Sequence, residues 1–247
     1  RPLETDVTMF LYEAGTTKLK YTFTHTINRF GNPDTLILDP QFKYDLVVNT
    51  IPRVELKNIS IKRNIHNTIN VDAGQGNIKV RFLDATKPYQ IDFRVMQSGK
   101  PQTLNVQKVN STEKYLIGTY DIEILTTPRI YVTTNVEQSN TTNINIKAPG
   151  FLKYTSGNLI TGQIFSQNDN GSWDWIANFD PNTKSGNQQL QPGAYKIVYR
   201  QLNLKKSEYT QGYILDGFPR TVAQAKRFSN GVDVVISLEV SDKEALW

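Results

Sequence analysis

The stretch Phe42-Lys43-Tyr44-Asp45-Leu46-Val47-Val48 sets a pattern that recurs twice in the chain. Its counterparts are Gly118-Thr119-Tyr120-Asp121-Ile122-Glu123-Ile124 and Gly193-Ala194-Tyr195-Lys196-Ile197-Val198-Tyr199, where a tyrosine again opens a run of alternating apolar residues. The three tyrosines are 76 and 75 residues apart. The first two copies stay in register, because Thr50-Ile51-Pro52-Arg53-Val54 is matched by Thr126-Thr127-Pro128-Arg129-Ile130. Repetition at a fixed period indicates an array of similar modules, which usually bind, space or anchor rather than catalyse.

Apolar residues alternate with polar ones along most of the chain, as in Leu19, Tyr21 and Phe23. Turn sequences such as Gly31-Asn32-Pro33-Asp34 and Asn168-Asp169-Asn170-Gly171 separate these runs. Period-2 alternation between frequent turns is typical of half-buried antiparallel strands. The sequence therefore predicts an all-β fold of three tandem small antiparallel β-sandwich modules, with almost no helix before residue 212 and a short α/β-like C-terminal tail.

The repeat also predicts the module boundaries. The chain divides into module one at residues 1–73, module two at 74–148, an incomplete module three at 149–211, and a tail at 212–247. Modules one and two end on equivalent segments rich in threonine and asparagine, Thr68-Ile69-Asn70-Val71 and Thr142-Asn143-Ile144-Asn145-Ile146, which we interpret as closing strands. Module three lacks such a segment, so we expect residues 232–240 to complete it or to dock beside it.

Composition narrows the function classes. The 247 residues carry a net charge of +5 and no cysteine. The positive charge is spread along the chain, whereas a nucleic-acid surface gathers basic residues on one face, so we expect no nucleic-acid partner. No apolar run approaches the roughly 18 to 20 residues of a membrane span, and no signal peptide opens the chain. We therefore expect a mature product or an excised fragment.

From about residue 5 to 210 the chain carries four further recognisable stretches. They are Ile27-Asn28-Arg29-Phe30-Gly31, Lys43-Tyr44-Asp45-Leu46-Val47-Val48-Asn49-Thr50, Thr103-Leu104-Asn105-Val106-Gln107 and Pro192-Gly193-Ala194-Tyr195. In these stretches the chain resembles the C-terminal accessory region of Bacteroidota envelope proteins with a von Willebrand factor A domain, also described as Ca-activated chloride-channel homologues. The resemblance implies a location in the cell envelope or outside the cell, as periplasmic or surface material. Its implied partner is another envelope protein or an upstream domain of the same chain.

The tail resembles a different family. Gly212-Tyr213-Ile214-Leu215-Asp216-Gly217-Phe218-Pro219-Arg220-Thr221-Val222-Ala223-Gln224-Ala225 is similar to the nucleoside-monophosphate segment of adenylate kinases. This resemblance implies that Arg220 pairs with the AMP phosphate, that Gln224 hydrogen-bonds adenine, and that Asp216 and Gly217 lie near the nucleotide and its magnesium. The alternative function is thus a nucleotide-binding or adenylate-kinase-related fragment at residues 212–247.

The remaining parts of a phosphotransferase do not occur in the sequence. Phosphoryl transfer needs a phosphate-cradling loop, a lysine and arginines that close over the transferred group. The chain contains no Gly-x-x-x-x-Gly-Lys-Ser/Thr motif. We therefore expect a protein that is not an enzyme, has no catalytic residues and needs no cofactor. The two histidines, His25 and His66, are far apart in sequence, so we expect no metal site.

Four residues outside the tail are candidates for contact with a partner. Trp173 and Trp175 alternate on a predicted strand, and they either stack on a sugar or a protein if exposed or belong to the core if buried. Arg53 and Arg129 follow equivalent Thr-x-Pro sequences, and they either bind an acidic partner or make a structural hydrogen bond. The sequence thus predicts a non-catalytic structural or protein-binding array of an exported cell-envelope protein.

Overall fold

The computed structural model describes residues 6–33, 35–85, 89–181 and 183–201, and the backbone of residues 234–239. Within these residues there is strand and turn but no helix, so the all-β prediction is confirmed. Alternating apolar residues bury one face of the core strands, as at Ile78, Val80 and Phe82, which is the arrangement that a period of two favours. Among the described residues no helix is long and apolar enough to cross a membrane.

The chain divides into two compact units, the first at residues 1–82, 89–125 and 130–146 and the second at residues 83–88, 126–129 and 147–247. The strands of the first unit are β1 Val7–Glu13, β2 Leu19–His25, β3 Lys43–Val48, β4 Val54–Ser60, β5 Gln75–Phe82, β6 Asp92–Gln97, β7 Thr103–Lys108, β8 Glu113–Leu116, β9 Gly118–Ile124, β10 Ile130–Val136 and β11 Thr141–Ile146. Those of the second are β12 Gly150–Gln167, β13 Trp173–Asn178, β14 Thr183–Leu190, β15 Tyr195–Gln201 and β16 Val234–Glu239.

The first unit contains two four-stranded antiparallel sheets with the same strand order. One runs β2-β1-β3-β4 and the other runs β7-β6-β9-β10. Their registers also correspond, because Met9 lies opposite Val48 as Phe93 lies opposite Ile124. Tyr44, Leu46 and Val48, together with the equivalent Tyr120, Ile122 and Ile124, are buried by the alternation that the sequence predicts. The repeated stretch is therefore an inner strand in each of two equivalent sheets.

A three-stranded sheet, β11-β5-β8, belongs to the same unit. Its central strand β5 buries Ile78, Val80 and Phe82. β5 pairs with β8 antiparallel and with β11 parallel. The parallel pair was not predicted, since alternation does not reveal strand direction.

The predicted closing strand of module one is wrong. Residues 68–71 are not a strand, although the equivalent residues of β11 are. A strand forms by pairing with a neighbour, and β11 pairs with β5. Residues 68–71 have no counterpart of β5 beside them within the described residues. Their backbone is consequently left outside any sheet.

The second unit is built around β12, an 18-residue strand. Its first half pairs with β14 and β16, and its second half pairs with β13 and β15. β16 pairs antiparallel with residues 151–156 of β12, in line with the expectation that the late strand completes this module or docks beside it. The core of the unit is formed by Leu152, Tyr154, Ile160, Ile164, Phe179 and Leu190.

The predicted boundaries at residues 73/74, 148/149 and 211/212 stay predictions. The division into two units groups the residues of modules one and two, and internal repetition need not coincide with compactness. Apart from the β16 backbone, the tail at residues 212–247 lies outside the described residues.

Candidate functional site

In all three copies the repeated tyrosine donates to a backbone carbonyl just before its strand, four residues back for Tyr120 and Tyr195 and five residues back for Tyr44. The Tyr120 hydroxyl donates to the Leu116 carbonyl at 2.8 Å, and the Tyr195 hydroxyl donates to the Gln191 carbonyl at 2.5 Å. The Tyr44 hydroxyl donates to the Asp39 carbonyl at 3.0 Å. Burial raises the pKa of Tyr120 and of Tyr195 to about 12, so both hydroxyls stay protonated and keep donating at neutral pH. The tyrosine thus ties the start of β3, β9 and β15 to the segment before each strand, as in β-sandwich tyrosine corners.

The matching Thr-x-Pro sequences form matching turns after the central strands. Thr50 Oγ1 donates to the Pro52 carbonyl, and Thr126 Oγ1 donates to the Pro128 carbonyl, each at 2.6 Å. Both prolines follow a cis peptide bond. These contacts give the two turns the same internal structure.

The carbonyl before each of these prolines also accepts an equivalent hydrogen bond from further along the chain. In the first unit the Leu116 amide donates to Ile51 at 2.8 Å, and in the second unit the Gln191 amide donates to Thr127 at 2.8 Å. Leu116 and Gln191 are also the residues whose carbonyls accept from Tyr120 and Tyr195. One residue therefore connects a tyrosine corner to the preceding turn in both places. The sequence did not reveal this connection, because neither Leu116 nor Gln191 is conspicuous in the repeat.

The aspartate after the first two tyrosines holds a hairpin turn. Asp45 accepts from the amides of Gly15 and Asn58 at 3.0 and 2.8 Å, and Asp121 accepts from the Gly99 amide at 3.3 Å and from Thr133 Oγ1 at 2.7 Å. Hydrogen bonds from the Gly15 and Asn58 amides lower the pKa of Asp45. The Thr133 hydroxyl, followed by the Gly99 amide, lowers the pKa of Asp121. The repeated Tyr-Asp pair could have indicated this role of the aspartate, which we did not predict from the sequence.

The two candidate arginines are both exposed. Arg53 makes no salt bridge with another described residue, whereas Arg129 has a further interaction of its own. Each side chain follows the proline of an ordered turn, so the turn fixes where its guanidinium group begins. The two arginines are thus placed equivalently by the backbone of their turns.

Both candidate tryptophans lie on the outer face of β13. Trp173 is 39% exposed and Trp175 is 55% exposed, so neither is a core residue. Directly opposite residues on antiparallel strands share a face. Trp175 and Lys196 both lie opposite Phe165, and Trp173 lies opposite Gln167. Register therefore extends the tryptophan pair into a surface that runs across β13, β12 and β15.

We call this surface the aromatic face and define it by Phe165, Gln167, Trp173, Trp175, Lys196 and Val198. Val198 is 47% exposed and continues the apolar area on β15. The Trp175 indole donates to Asn178 Oδ1 at 3.0 Å, which orients the ring, while 55% of the residue stays exposed to solvent. Flat aromatic rings with amide and ammonium groups beside them suit stacking against a sugar ring or packing against a protein side chain.

The other candidate residues are not brought into a site. Asp216, Gly217, Arg220 and Gln224 lie outside the described residues. Within the described residues no group of three or more histidine, cysteine, aspartate or glutamate side chains is placed to hold a metal ion.

Comparison with known proteins gives partial matches. No family model matches the chain. It is 30% identical over 109 residues to an adenylate kinase of Lachnospira eligens, covering 38% of this chain and 46% of that protein. It is 42% identical over 65 residues to an adenylate kinase of Bacillus pumilus, covering 24% of this chain and 30% of that protein. The chain thus spans less than half the length of the curated relatives it matches.

Among solved structures, the Bacillus anthracis TIE protein aligns with 80% of this chain and 46% of its own chain. The sequence identity is 13% and the TM-score is 0.24. A similarity at this level supports no argument about fold or function.

Proposed function

We propose that this chain is a non-catalytic array of β-sandwich modules that spaces or binds proteins at the cell envelope. The observation that supports this most is the recurring connection between a tyrosine corner and the preceding Thr-x-Pro turn. An array of modules with the same packing contacts offers a defined length and repeated surfaces, which suits a protein that spaces or binds other proteins. The resemblance to accessory regions of Bacteroidota von Willebrand factor A proteins supplies the proposed location.

The aromatic face is the surface that we propose for protein contact. Interface centres are enriched in aromatic residues and depleted in acidic ones, and this face combines Phe165, Trp173 and Trp175 with Lys196. Arg53 and Arg129 are second candidates, because guanidinium groups suit acidic partners. Binding of a carbohydrate is the competing use of the same tryptophans.

Two measurements test this proposal. Fractionation of the source bacterium should recover the chain with the envelope or the medium, and recovery in the cytosol would contradict the proposed location. A photo-crosslinking residue at position 175 should then capture an envelope protein, while the same residue at position 170, in an exposed turn of the same unit, should not. Equal capture at both positions would refute the aromatic face as the contact surface.

A second candidate function is nucleotide binding by the tail, which the two partial adenylate kinase matches favour. On our primary proposal AMP binds no better than millimolar, because one arginine in water gains little from one phosphate. Calorimetric titration of AMP into the chain and into Arg220→Ala separates the two functions. Micromolar affinity that is lost in Arg220→Ala would favour the tail as a nucleotide site, and formation of ADP from ATP and AMP would contradict the non-catalytic proposal outright.

A further inference from the structure

The aromatic face of the second unit is bordered by positive charge along β15. Lys196, Val198 and Arg200 are spaced by two along this strand, so they project from the same side of the sheet. We call these three residues the basic margin. Lys196 and Arg200 are exposed, and Val198 between them is 47% exposed. Because β13 and β15 pair with the same part of β12 from its two sides, this outer face has an aromatic side at Trp173 and Trp175 and a basic side.

The strands that form this face carry almost no negative charge. In the sequences of β12, β13 and β15, Asp174 is the single carboxylate, against three lysine or arginine residues. Asp174 lies between the two tryptophans along β13, so it projects from the opposite side of the sheet. Its Oδ2 atom accepts from Asn168 Nδ2 at 3.0 Å. The basic margin therefore has two exposed cations and no carboxylate beside it on the same face of these three strands.

Amide side chains lie between the two sides of the face. Val198 is opposite Gln163 on β12, which in turn is opposite Asn178 on β13, and both amide residues are exposed. They border a depression that Arg200 also lines. An amide side chain both donates and accepts hydrogen bonds, so it suits the peptide groups of a chain lying across the sheet. Val198, which separates the two cations, suits an apolar side chain, whereas a polysaccharide would place hydroxyl groups against it.

The spacing of the cations defines the ligand further. Lys196 and Arg200 are four residues apart on one strand, so their Cα atoms are about 13 Å apart. Residues i and i+4 of an extended polypeptide are separated by the same distance and point to the same side. Carboxylates at those two positions would reach both cations, and Arg200 suits bidentate contact with one of them. The side chain at i+2 would then cover Val198.

We propose that the basic margin and the aromatic face together bind an extended acidic segment of a partner protein. The segment has carboxylates at positions i and i+4 and an apolar side chain at i+2, and it lies along β12 between the basic margin and the tryptophans. Opposite charge at the margin of an interface mainly sets partner choice and the rate of association. The inference rests on the proposed protein-binding function, for which it specifies the chemistry of the partner, but it does not depend on the envelope location.

The test uses the full chain and a capped synthetic peptide, Ser-Glu-Thr-Leu-Thr-Glu-Ser, whose glutamates are four positions apart. A second peptide has glutamine in place of both glutamates, and a third, Ser-Thr-Leu-Glu-Glu-Thr-Ser, has the same composition with adjacent glutamates. We expect saturable shifts of the Trp173 and Trp175 indole NMR signals with the first peptide. Binding should be about fivefold weaker or more for the second peptide and about twofold weaker or more for the third. Raising the ionic strength from about 0.05 to about 0.5 M should weaken binding of the first peptide only.

Charge-reversal variants locate the binding. Lys196→Glu and Arg200→Glu should each weaken binding of the first peptide about fivefold or more and leave binding of the glutamine peptide unchanged. Lys147→Glu makes the same change in charge at an exposed residue of the same unit, ahead of β12, and should leave binding of both peptides unchanged. Thermal melts of the three variants verify that each is folded.

Several results would overturn the proposal. They are no binding of the first peptide, equal binding of the glutamate and glutamine peptides, equal binding of the two glutamate peptides, and equal effects of Lys196→Glu and Lys147→Glu. A heparin hexasaccharide that displaces the peptide and shifts the same indole signals at lower concentration would also overturn it, since the occupant would then be an acidic glycan. Failure of the peptide, with a crosslinking residue at position 175 that still captures an envelope protein, removes only the acidic segment. Peptide binding as expected by a chain that is found in the cytosol removes only the proposed location.

Discussion

Substituting Gly186 with alanine should destabilise the second unit, because a tyrosine ring lies across this glycine. Gly186 is directly opposite Tyr154 on the paired strands β14 and β12. A Cβ atom at residue 186 would lie 2.1 Å from the Tyr154 Oη atom and 2.2 Å from its Cζ atom. The ring is rigid and buried, and it stacks on Phe179 with centroids 4.0 Å apart and an angle of 11°. The alanine therefore forces the ring out of its stack.

The expected cost follows from the contacts that change. Overpacking costs about 1 to 3 kcal/mol and the lost aromatic pair about 1 kcal/mol, while replacing glycine returns about 0.4 to 1 kcal/mol through the unfolded chain. The Asp180 amide, which donates to Tyr154 Oη at 3.3 Å, also loses its acceptor. We expect Gly186→Ala to lower the free energy of unfolding by about 2 to 3 kcal/mol.

Urea denaturation followed by tryptophan fluorescence measures this change, since Trp173 and Trp175 belong to the same unit. Gly157→Ala is the matched control, because a Cβ atom there meets no atom within 4 Å, and it should be neutral or slightly stabilising. In a Tyr154→Leu background the cost of the alanine at residue 186 should largely disappear. Equal stability of Gly186→Ala and Gly157→Ala, or the same cost with and without the tyrosine, would refute the reasoning.

The repeated side chains give three further predictions. Asp45→Asn and Asp121→Asn should lower the melting temperature at pH 7, because the lowered carboxyl pKa of each aspartate stabilises the fold above the ordinary value of 3.8. This gain is lost as the pH falls through the lowered pKa, so the effect of each substitution should shrink progressively in acid below pH 3.8. Calorimetry over pH checks this, and an effect of equal size at neutral and acidic pH would contradict it. Burial raises the pKa of Tyr120 and Tyr195 to about 12, so the stability that the fold has below pH 10 should decline between pH 10 and 12. Tyrosinate absorbance and circular dichroism should detect ionisation and unfolding together. Ionisation of every tyrosine near pH 10 in the folded chain would contradict this prediction. Tyr120→Phe removes the hydrogen bond to the Leu116 carbonyl and should lower the free energy of unfolding by about 1 kcal/mol in urea denaturation. Tyr131→Phe, at a 70% exposed residue, should lower it much less. Equal losses in the two variants would contradict the structural role of the Tyr120 corner.

The sequence was sufficient for those features that local periodicity determines. Tyr44 and Tyr120 open equivalent central strands because alternation buries one face and the tyrosine recurs at a fixed interval. Features that depend on strand partners were not accessible. The offset of the repeat changes from 84 to 76 between β2 and β3, so the first module carries eight additional residues there, which the matching tyrosines alone could not reveal.

The candidate surfaces show the same dependence on pairing. Spacing placed Trp173 and Trp175 on one face of a strand but could not decide between core and surface, since both faces of a strand alternate equally. The pairing of β13 and β15 with β12 decided it and added Phe165 and Lys196 to the aromatic face. The irregular backbone of residues 68–71 was inaccessible for the opposite reason, because these residues have the composition of a strand but pair with no strand among the described residues.

The third copy of the repeat indicates which of its residues are required by the fold and which by the adjoining turns. Tyr195 keeps the corner, but Lys196 replaces the aspartate that holds a hairpin turn in the first two copies. The corresponding turn between β12 and β13 is held by its own side chains, since Asn170 Oδ1 accepts from the Ser172 amide at 2.9 Å and Asn168 Nδ2 donates to Ser172 Oγ at 2.7 Å. A carboxylate at residue 196 would have no such turn to hold. Residue 196 is thereby released from a structural role, and a lysine on the outer face of β15 is open to contact with a partner.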